Sequence, residues 1–365
     1  MKYPVFTPEI NKKDLQYVND ALKQGEISGN FGKYIEKFEN KFAAYCGTKY
    51  AVTVSNGTCA LNLALSSIGI KKGDEVLVSS STNIASALAV VYLGAKPIPI
   101  DSEIDTWNID PRKIEKFINK KTKAIIPVHL YGNPANMLEI KKISRKYGLV
   151  IIEDAAEAHG AEINKQKTGS FGHLGCFSFY ANKIITTGEG GMVTTNSKKL
   201  YNKLKYLKNL AFGKPRFVHK EIGFNYRLTG YQAAMGLSQL ENIEKNILNK
   251  IRISKLYKKY LDDRLFNHQL IKKDYKSVYW MYGITLKRKN YKNILQKKLL
   301  KLGIDTRNFF FPISQQPCFK YLNLNMYKTP ISNELWENGL YLPSSTSLTE
   351  SDIIYISNKL NLLMK

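Results

Sequence analysis

Phe177–Asn196 reads FSFYANKIITTGEGGMVTTN. Strand-like runs, GCFSFY and GGMVTT, flank a lysine, Lys183, and the glycine cluster at Gly188–Gly191. Such a segment can be a glycine loop that cradles phosphate, a hairpin turn, or a seat for a reactive amine. It lacks the G-x-x-x-x-G-K-[ST] spacing, and GEGG runs into a strand-like MVTT rather than opening a helix, so neither nucleotide-loop pattern fits. A lysine amine forms a Schiff base with an aldehyde, and burial lowers its pKa toward that of a usable nucleophile and proton carrier. A solvated hairpin lysine is the ordinary alternative. The choice depends on what the rest of the chain brings to it.

Upstream, strand-like and helix-like segments alternate. KYAVTVS (49–55), DEVLVSS (74–80), KPIPIDS, TKAIIPVHLYG and LVIIED read as strands; TCALNLALSSIGI (58–70), NIASALAVVYLGA and MLEIKKISRKYG carry apolar residues at helical spacing. Alternation of this kind predicts a parallel sheet covered on both faces, and LVIIED has the near-continuous apolar character of a central parallel strand. After Asn196 the chain becomes more helical. Tyr231–Leu261 has helical periodicity without an internal proline, long enough to link two domains, and 262–365 mixes strands such as YWMYGITL with helices such as NILQKKLLKLG. A smaller α+β domain is expected there.

Open α/β sheets bind ligands beyond the carboxyl ends of their strands. Two features fall at such ends besides Lys183. In VSNGTCAL a strand ends, Asn56-Gly57-Thr58 turn, and a helix begins; free N–H groups and the helix dipole there favour a phosphate, though a plain capped turn looks the same. In IIEDAAEAHG, Glu153 and Asp154 close a buried strand, where a carboxylate needs a cation or good hydrogen bonds. A pyridine nitrogen would serve, because the carboxylate favours its protonated form and the ring then takes up carbanion charge; a structural ion pair would serve as well. His159, followed by glycine, can touch a ligand or be a satisfied, partly buried histidine, and the second reading is favoured. Phosphate turn, acidic strand end and lysine, in that order, are what a pyridoxal phosphate enzyme of the aspartate aminotransferase fold needs.

The chain has 55 basic and 30 acidic residues, a net charge of +25. The basic residues are mostly lysine, scattered rather than clustered, while arginine is the better fork for phosphate and base edges. A nucleic-acid partner is therefore not expected. Cys46, Cys59, Cys176 and Cys318 are far apart, with no C-x-x-C pair, so neither a metal site nor a disulfide framework is indicated, and four buried reduced thiols are expected. No apolar run is long enough to span a membrane, and the N-terminal stretch has no apolar signal region. A cytoplasmic location without membrane partners is the expectation.

The chain resembles the DegT/DnrJ/EryC1/StrS sugar aminotransferases, and within them the perosamine-synthase branch. The resemblance runs nearly end to end through GKYIEKFENKFA, TVSNGTCALNLAL, GDEVLV, TKAIIPVHLYG, IIEDAAEAHGA, CFSFYANKIITTGEGGMVTTN and FNYRLTGYQAAMGLSQLE. It implies fold type I of the pyridoxal phosphate enzymes, with a large domain (21–245) built on a mainly parallel sheet of the seven-stranded type. A small C-terminal α+β domain (246–365) and an N-terminal segment (1–20) packing with it complete the chain. Lys183 would carry the pyridoxal 5'-phosphate and Asp154 would pair with its ring nitrogen. Asn56, Gly57, Thr58 and Ser178 would hold the phosphate, Glu157 would lie beside the ring oxygen, and Asn225 would reach in from the partner of a homodimer with shared active sites. Arg227 is a candidate for the donor carboxylate or the substrate phosphates. A lysine at 183, where the family's dehydratase branch has histidine, favours transamination.

Three positions depart from the pattern. Asn83 replaces an aromatic residue that stacks on the cofactor, Glu26 replaces a tryptophan, and Ser314 in FPIS replaces the histidine of YPxH. Glu26 and Ser314 are assigned to the substrate side and Asn83 to the cofactor. The implied reaction moves an amino group from L-glutamate to C4 of a nucleotide-linked 4-keto-6-deoxyhexose for surface glycans. A 3-ketosugar, a UDP- or dTDP-linked sugar, or a small phosphorylated ketone stays open as acceptor, as does a non-catalytic binding or regulatory role.

Overall fold

The computed structural model describes residues 1–30 and 32–365. Its centre is a seven-stranded sheet in the order β1-β9-β8-β5-β4-β2-β3. The strands are β1 (Tyr50–Val54), β2 (Glu75–Ser79), β3 (Lys96–Ile100), β4 (Thr122–Ile126), β5 (Val150–Asp154), β8 (Leu174–Ser178) and β9 (Gly191–Thr195). A short hairpin of β6 (Glu162–Ile163) and β7 (Gln166–Lys167) lies between β5 and β8. The β2–β3, β2–β4, β4–β5 and β5–β8 pairs are parallel. β9 alone runs the other way, against both β8 and β1. The cause is local: residues 179–190 contain no helix to carry the chain back across the sheet, so the next strand pairs antiparallel. The Lys183 loop is therefore held at the carboxyl edge of the parallel strands.

Helices cover both faces. The first two are α1 (Lys12–Lys23) and α2 (Lys33–Cys46). Three follow parallel strands: α3 (Gly57–Ser67) after β1, α4 (Ala85–Val91) after β2 and α5 (Met137–Tyr147) after β4; α6 (Lys198–Lys208) follows β9. The predicted helix over Tyr231–Leu261 is two helices, α7 (Gly230–Glu241) and α8 (Ile243–Tyr260). They meet at Asn242, whose N–H turns to Gln239 O and whose amide reaches Ser238 O at 3.4 Å. Asparagine competes in this way with helix backbone, so apolar periodicity alone overran the break.

Beyond α8 a four-stranded antiparallel sheet, β10 (Phe266–His268), β12 (Tyr282–Leu286), β14 (Gly339–Leu342) and β13 (Arg307–Asn308), packs under α8, α9 (Lys292–Lys301) and α11 (Glu350–Met364) with its own apolar cluster. β11 (Tyr275–Lys276) pairs back to β6, and α10 (Pro330–Asn338) precedes β14. The N-terminal stretch joins both parts. Tyr3 bridges Ile304 and Val5 O accepts from Ser344 N, while buried Asp14 of α1 takes Ser238 Oγ and Gln239 Nε2 of α7, both at 2.6 Å. All four cysteines are free. Cys46 and Cys176 are buried as expected, but Cys59 is half-buried and Cys318 exposed on the surface turn after Pro317. Among the described residues no helix is long and apolar enough to cross a membrane.

Candidate active site

Side chains alternate across a strand, so the two carboxylates at the end of β5 part company. Glu153 turns into the protein. Its oxygens accept the N–H groups of Gly169 (2.8 Å), Phe171 (2.7 Å) and Gly172 (2.7 Å), and His129 Nε2 lies 3.0 Å away. It anchors a turn. Asp154 faces a cavity of about 390 Å³ at the carboxyl edge. Its Oδ2 accepts from Ser86 Oγ at 2.7 Å and its Oδ1 from Ala156 N at 3.2 Å. Thr82 Oγ1, 2.9 Å from Ser86 Oγ, fixes that hydroxyl. Burial pushes the Asp154 pKa up, opposed by Ser86, the Ala156 N–H, Lys183 and His129.

Lys183 shares this cavity with Asp154 and Glu157. The lysine is half-buried, and its ammonium is desolvated enough to pull its pKa below the ordinary value, against the pull of Glu157 and Asp154. Burial likewise pushes Glu157 up to about 7, although Lys183 and the Tyr131 N–H, 2.7 Å from Oε2, oppose it. The amine stands 4.0 Å from the centre of the Trp280 ring, and Trp280 Nε1 donates to Asn182 O at 2.6 Å. The site is thus bordered by Trp280, just ahead of β12, by Tyr341 of β14 and by Phe310.

The third side is the start of α3. Asn56 caps it: Oδ1 accepts from Cys59 N at 2.8 Å and the carbonyl from Ala60 N at 3.0 Å. The N–H groups of Gly57 and Thr58 are left for a ligand at the cavity wall. Ser178, at the end of β8, lines the same wall. A Cβ on Gly57 would lie 2.8 Å from Ser178 Cβ, and one on Gly191 would lie 2.5 Å from Asn56 O. Both glycines are needed for the turn, β8 and β9 to approach this closely. That explains the end of the GEGG cluster, which touches the neighbouring backbone rather than a phosphate.

The structure brings Asn56, Gly57, Thr58, Asn83, Asp154, Glu157, Ser178 and Lys183 to one cavity. Asn83 is exposed there, with Oδ1 accepting from Ala85 N at 3.0 Å ahead of α4. Four other residues lie off the cavity wall within one chain. Asn225 is exposed and bridges Asn209; Arg227 Nη1 donates to Asn209 Oδ1 at 2.8 Å. Glu26 is buried and its Oε2 accepts from Tyr34 N at 3.0 Å in the first turn of α2. Ser314 is buried with Oγ 2.6 Å from Thr329 Oγ1. His159 corrects its expectation: it is fully buried among Phe42, Phe177 and Phe179, neither ring nitrogen has a hydrogen-bond partner among the described residues, and burial pulls its pKa to about 3. Ser86 and Trp280 escaped the sequence reading. Ser86 lies inside a segment that reads as plain helix; Trp280 is one of only three tryptophans, which was the available signal.

Residues 8–361 match the model of the DegT/DnrJ/EryC1/StrS aminotransferase family. The chain belongs to this family. It is 43% identical over 365 residues to a GDP-perosamine synthase of Escherichia coli O157:H7, covering 99% of this chain and 98% of that protein. It is 41% identical over 357 residues to the GDP-perosamine synthase of Caulobacter vibrioides, covering 96% and 95%. Among solved structures, S. venezuelae DesV in complex with a ketimine intermediate superposes with a TM-score of 0.91 at 31% identity, covering 96% of this chain and 94% of that one. The chain is a pyridoxal phosphate-dependent aminotransferase, and its cavity fits that cofactor. A helix start with free N–H groups suits a phosphate. A buried carboxylate with no direct ion pair among the described residues suits a protonated ring nitrogen, and an amine of lowered pKa suits an aldehyde.

Proposed function

We propose that this aminotransferase moves the amino group of L-glutamate to C4 of a nucleotide-linked 4-keto-6-deoxyhexose, the GDP-linked sugar first. The observation that carries the reading is the amine of Lys183 set in one cavity with Asp154, Glu157 and the open start of α3. Full-length similarity to two GDP-perosamine synthases supports the choice of acceptor.

In this reading the N–H groups of Gly57 and Thr58 and the hydroxyl of Ser178 hold the cofactor phosphate, with Asn56 fixing the turn. Asn225 of a second copy completes that cradle in a homodimer. Asp154, oriented by Ser86, keeps a proton on the ring nitrogen. Glu157 and Asn83, which line the same cavity, would help hold the ring. When bound, the cofactor supplies an aldehyde that receives the amino group and a ring that takes up the charge left at the donor's Cα. Lys183 would be the group that takes the proton from that Cα and gives it back, first base and then acid. Its lowered pKa keeps a larger fraction of the amine neutral and able to accept a proton. Arg227 receives the donor carboxylate or the sugar phosphates, and Glu26 and Ser314 border the sugar side. The enzyme works in the cytoplasm, where nucleotide sugars are made for surface glycans.

The test converts the loaded protein to its pyridoxamine form with L-glutamate. Candidate ketones are then added one at a time while the visible absorbance of the pyridoxal form is followed. The GDP-linked 4-ketosugar is expected to restore it fastest. Restoration only by 3-ketosugars, dTDP- or UDP-linked sugars, or small keto-phosphates overturns the assignment.

A further inference from the structure

Lys250 lies in the middle of α8 and is 1% exposed. Its amine donates to Trp280 O at 2.9 Å and to Ser344 O at 2.5 Å, and stands 4.8 Å from the centre of the Phe6 ring. No carboxylate is among these partners. A buried ammonium without a counter-charge is costly, and burial pulls this amine to about 7. A neutral amine has two N–H donors, which the two carbonyls match. An apolar side chain of the same length would fill the space but leave both carbonyls without this donor, so it is the hold on these two carbonyls, and not packing alone, that accounts for a lysine here.

The carbonyl that Lys250 holds belongs to Trp280, the residue whose ring lies against Lys183. The chain of contacts is short: Lys250 Nζ to Trp280 O, the Trp280 ring to Lys183 Nζ at 4.0 Å, and Trp280 Nε1 to Asn182 O at 2.6 Å beside it. Lys250 and Lys183 also border one narrow crevice. Among the described residues, the other titratable group facing that crevice is Glu9 of the N-terminal stretch, whose carboxylate accepts from Thr346 Oγ1 at 2.7 Å.

We propose that Lys250 is a positioning residue for the transamination: it fixes the backbone of Trp280, so that the indole is held over the Lys183 amine and sets how readily that amine exchanges its proton. The inference rests on Lys183 being the reacting amine and is independent of which sugar is the acceptor.

The test uses protein loaded with pyridoxal phosphate and three variants, Lys250→Met, Trp280→Phe and the double variant. Two readouts need no sugar: the pH titration of the visible absorbance, and the single-turnover rate with L-glutamate. Lys250→Met is expected to move the midpoint of the titration and to slow the glutamate half-reaction roughly 10- to 100-fold, the scale of a small misplacement at a reacting group. Trp280→Phe is expected to do the same. The double variant should be no worse than either alone, because both act through one indole. A Lys250→Met protein with a wild-type titration and half-reaction, even if it melts earlier, overturns the proposal, and so do additive effects in the double variant. Lys250→Leu, which likewise lacks a donor for the Trp280 carbonyl, replaces Lys250→Met by the same criteria if that variant does not fold. Failure of the GDP-sugar reading would appear only in the acceptor half-reaction and leave both readouts unchanged.

Discussion

Asp154, at the end of β5, depends on a hydroxyl of α4. Ser86 Oγ is its one side-chain donor, at 2.7 Å, and burial otherwise disfavours the charge. Ser86→Ala should cost about 1.5–3 kcal/mol of anion stabilisation, the range for hydrogen bonds to charged groups. It is expected to weaken pyridoxal phosphate binding roughly tenfold or more, read as the dissociation constant from the visible spectrum; unchanged affinity would mean that Asp154 needs no such support. Glu157 allows a pH prediction. Its folded pKa, about 7, stands above the ordinary 4.5, so between these values the folded state binds more protons than the unfolded one. Stability from this group therefore falls as pH rises from about 4.5 to about 7. Glu157→Gln removes that dependence. Its Tm relative to the parent is expected to climb across the window in the cofactor-free protein, and a constant difference would contradict it. Asp154 and Lys183 are legible in the sequence because strand-end position and residue type are local properties, whereas Glu157 comes only from the family resemblance. The sequence missed Ser86 because nothing in NIASALAV marks one serine as the partner of a residue 68 positions on.

At the level of elements, the β8–β9 loop is placed by the absence of a crossover helix, and α3 by the Asn56 cap, both readable from local pattern. The start of α2 is different. Its N-cap, Gly32, offers no side-chain bond, and the Glu26 carboxylate takes the Tyr34 N–H instead. Glu26→Ala is expected to lower stability by about 0.5–2 kcal/mol, as loss of a cap does, with a Tm drop of a few degrees and an unchanged cofactor spectrum. A higher KM for the sugar at full stability would instead support Glu26 on the substrate side. The family resemblance marks position 26 as a departure; the contact with α2 is legible only in the tertiary structure and gives this carboxylate a capping role. The break at Asn242 was hidden for a related reason, since apolar spacing continues through it while the asparagine's backbone and amide turn away.

The whole molecule shows Asn225 exposed, next to a segment whose Phe217, Val218 and Ile222 are 71%, 52% and 90% exposed. Three large apolar side chains close together on a surface mark a contact site, and in the proposed homodimer the second copy covers them. Ile222→Asp with Phe217→Asp is expected to shift sedimentation from dimer toward monomer and to weaken cofactor binding, since Asn225 would leave its neighbour's cavity. A dimer that persists with full cofactor affinity would place the interface elsewhere. By itself the sequence determined the α/β class, the order of phosphate turn, acid and lysine, and the chemistry those residues can do. Each is set by short-range pattern: periodicity, turn chemistry and residue type. Tertiary structure alone decided that Glu153 is structural while Asp154 faces the cavity, that Ser86 orients it, that Trp280 from the segment ahead of β12 lies over Lys183, and that Lys250 bonds its carbonyl. Those facts depend on distances between residues far apart in the chain, which packing sets and no local pattern encodes.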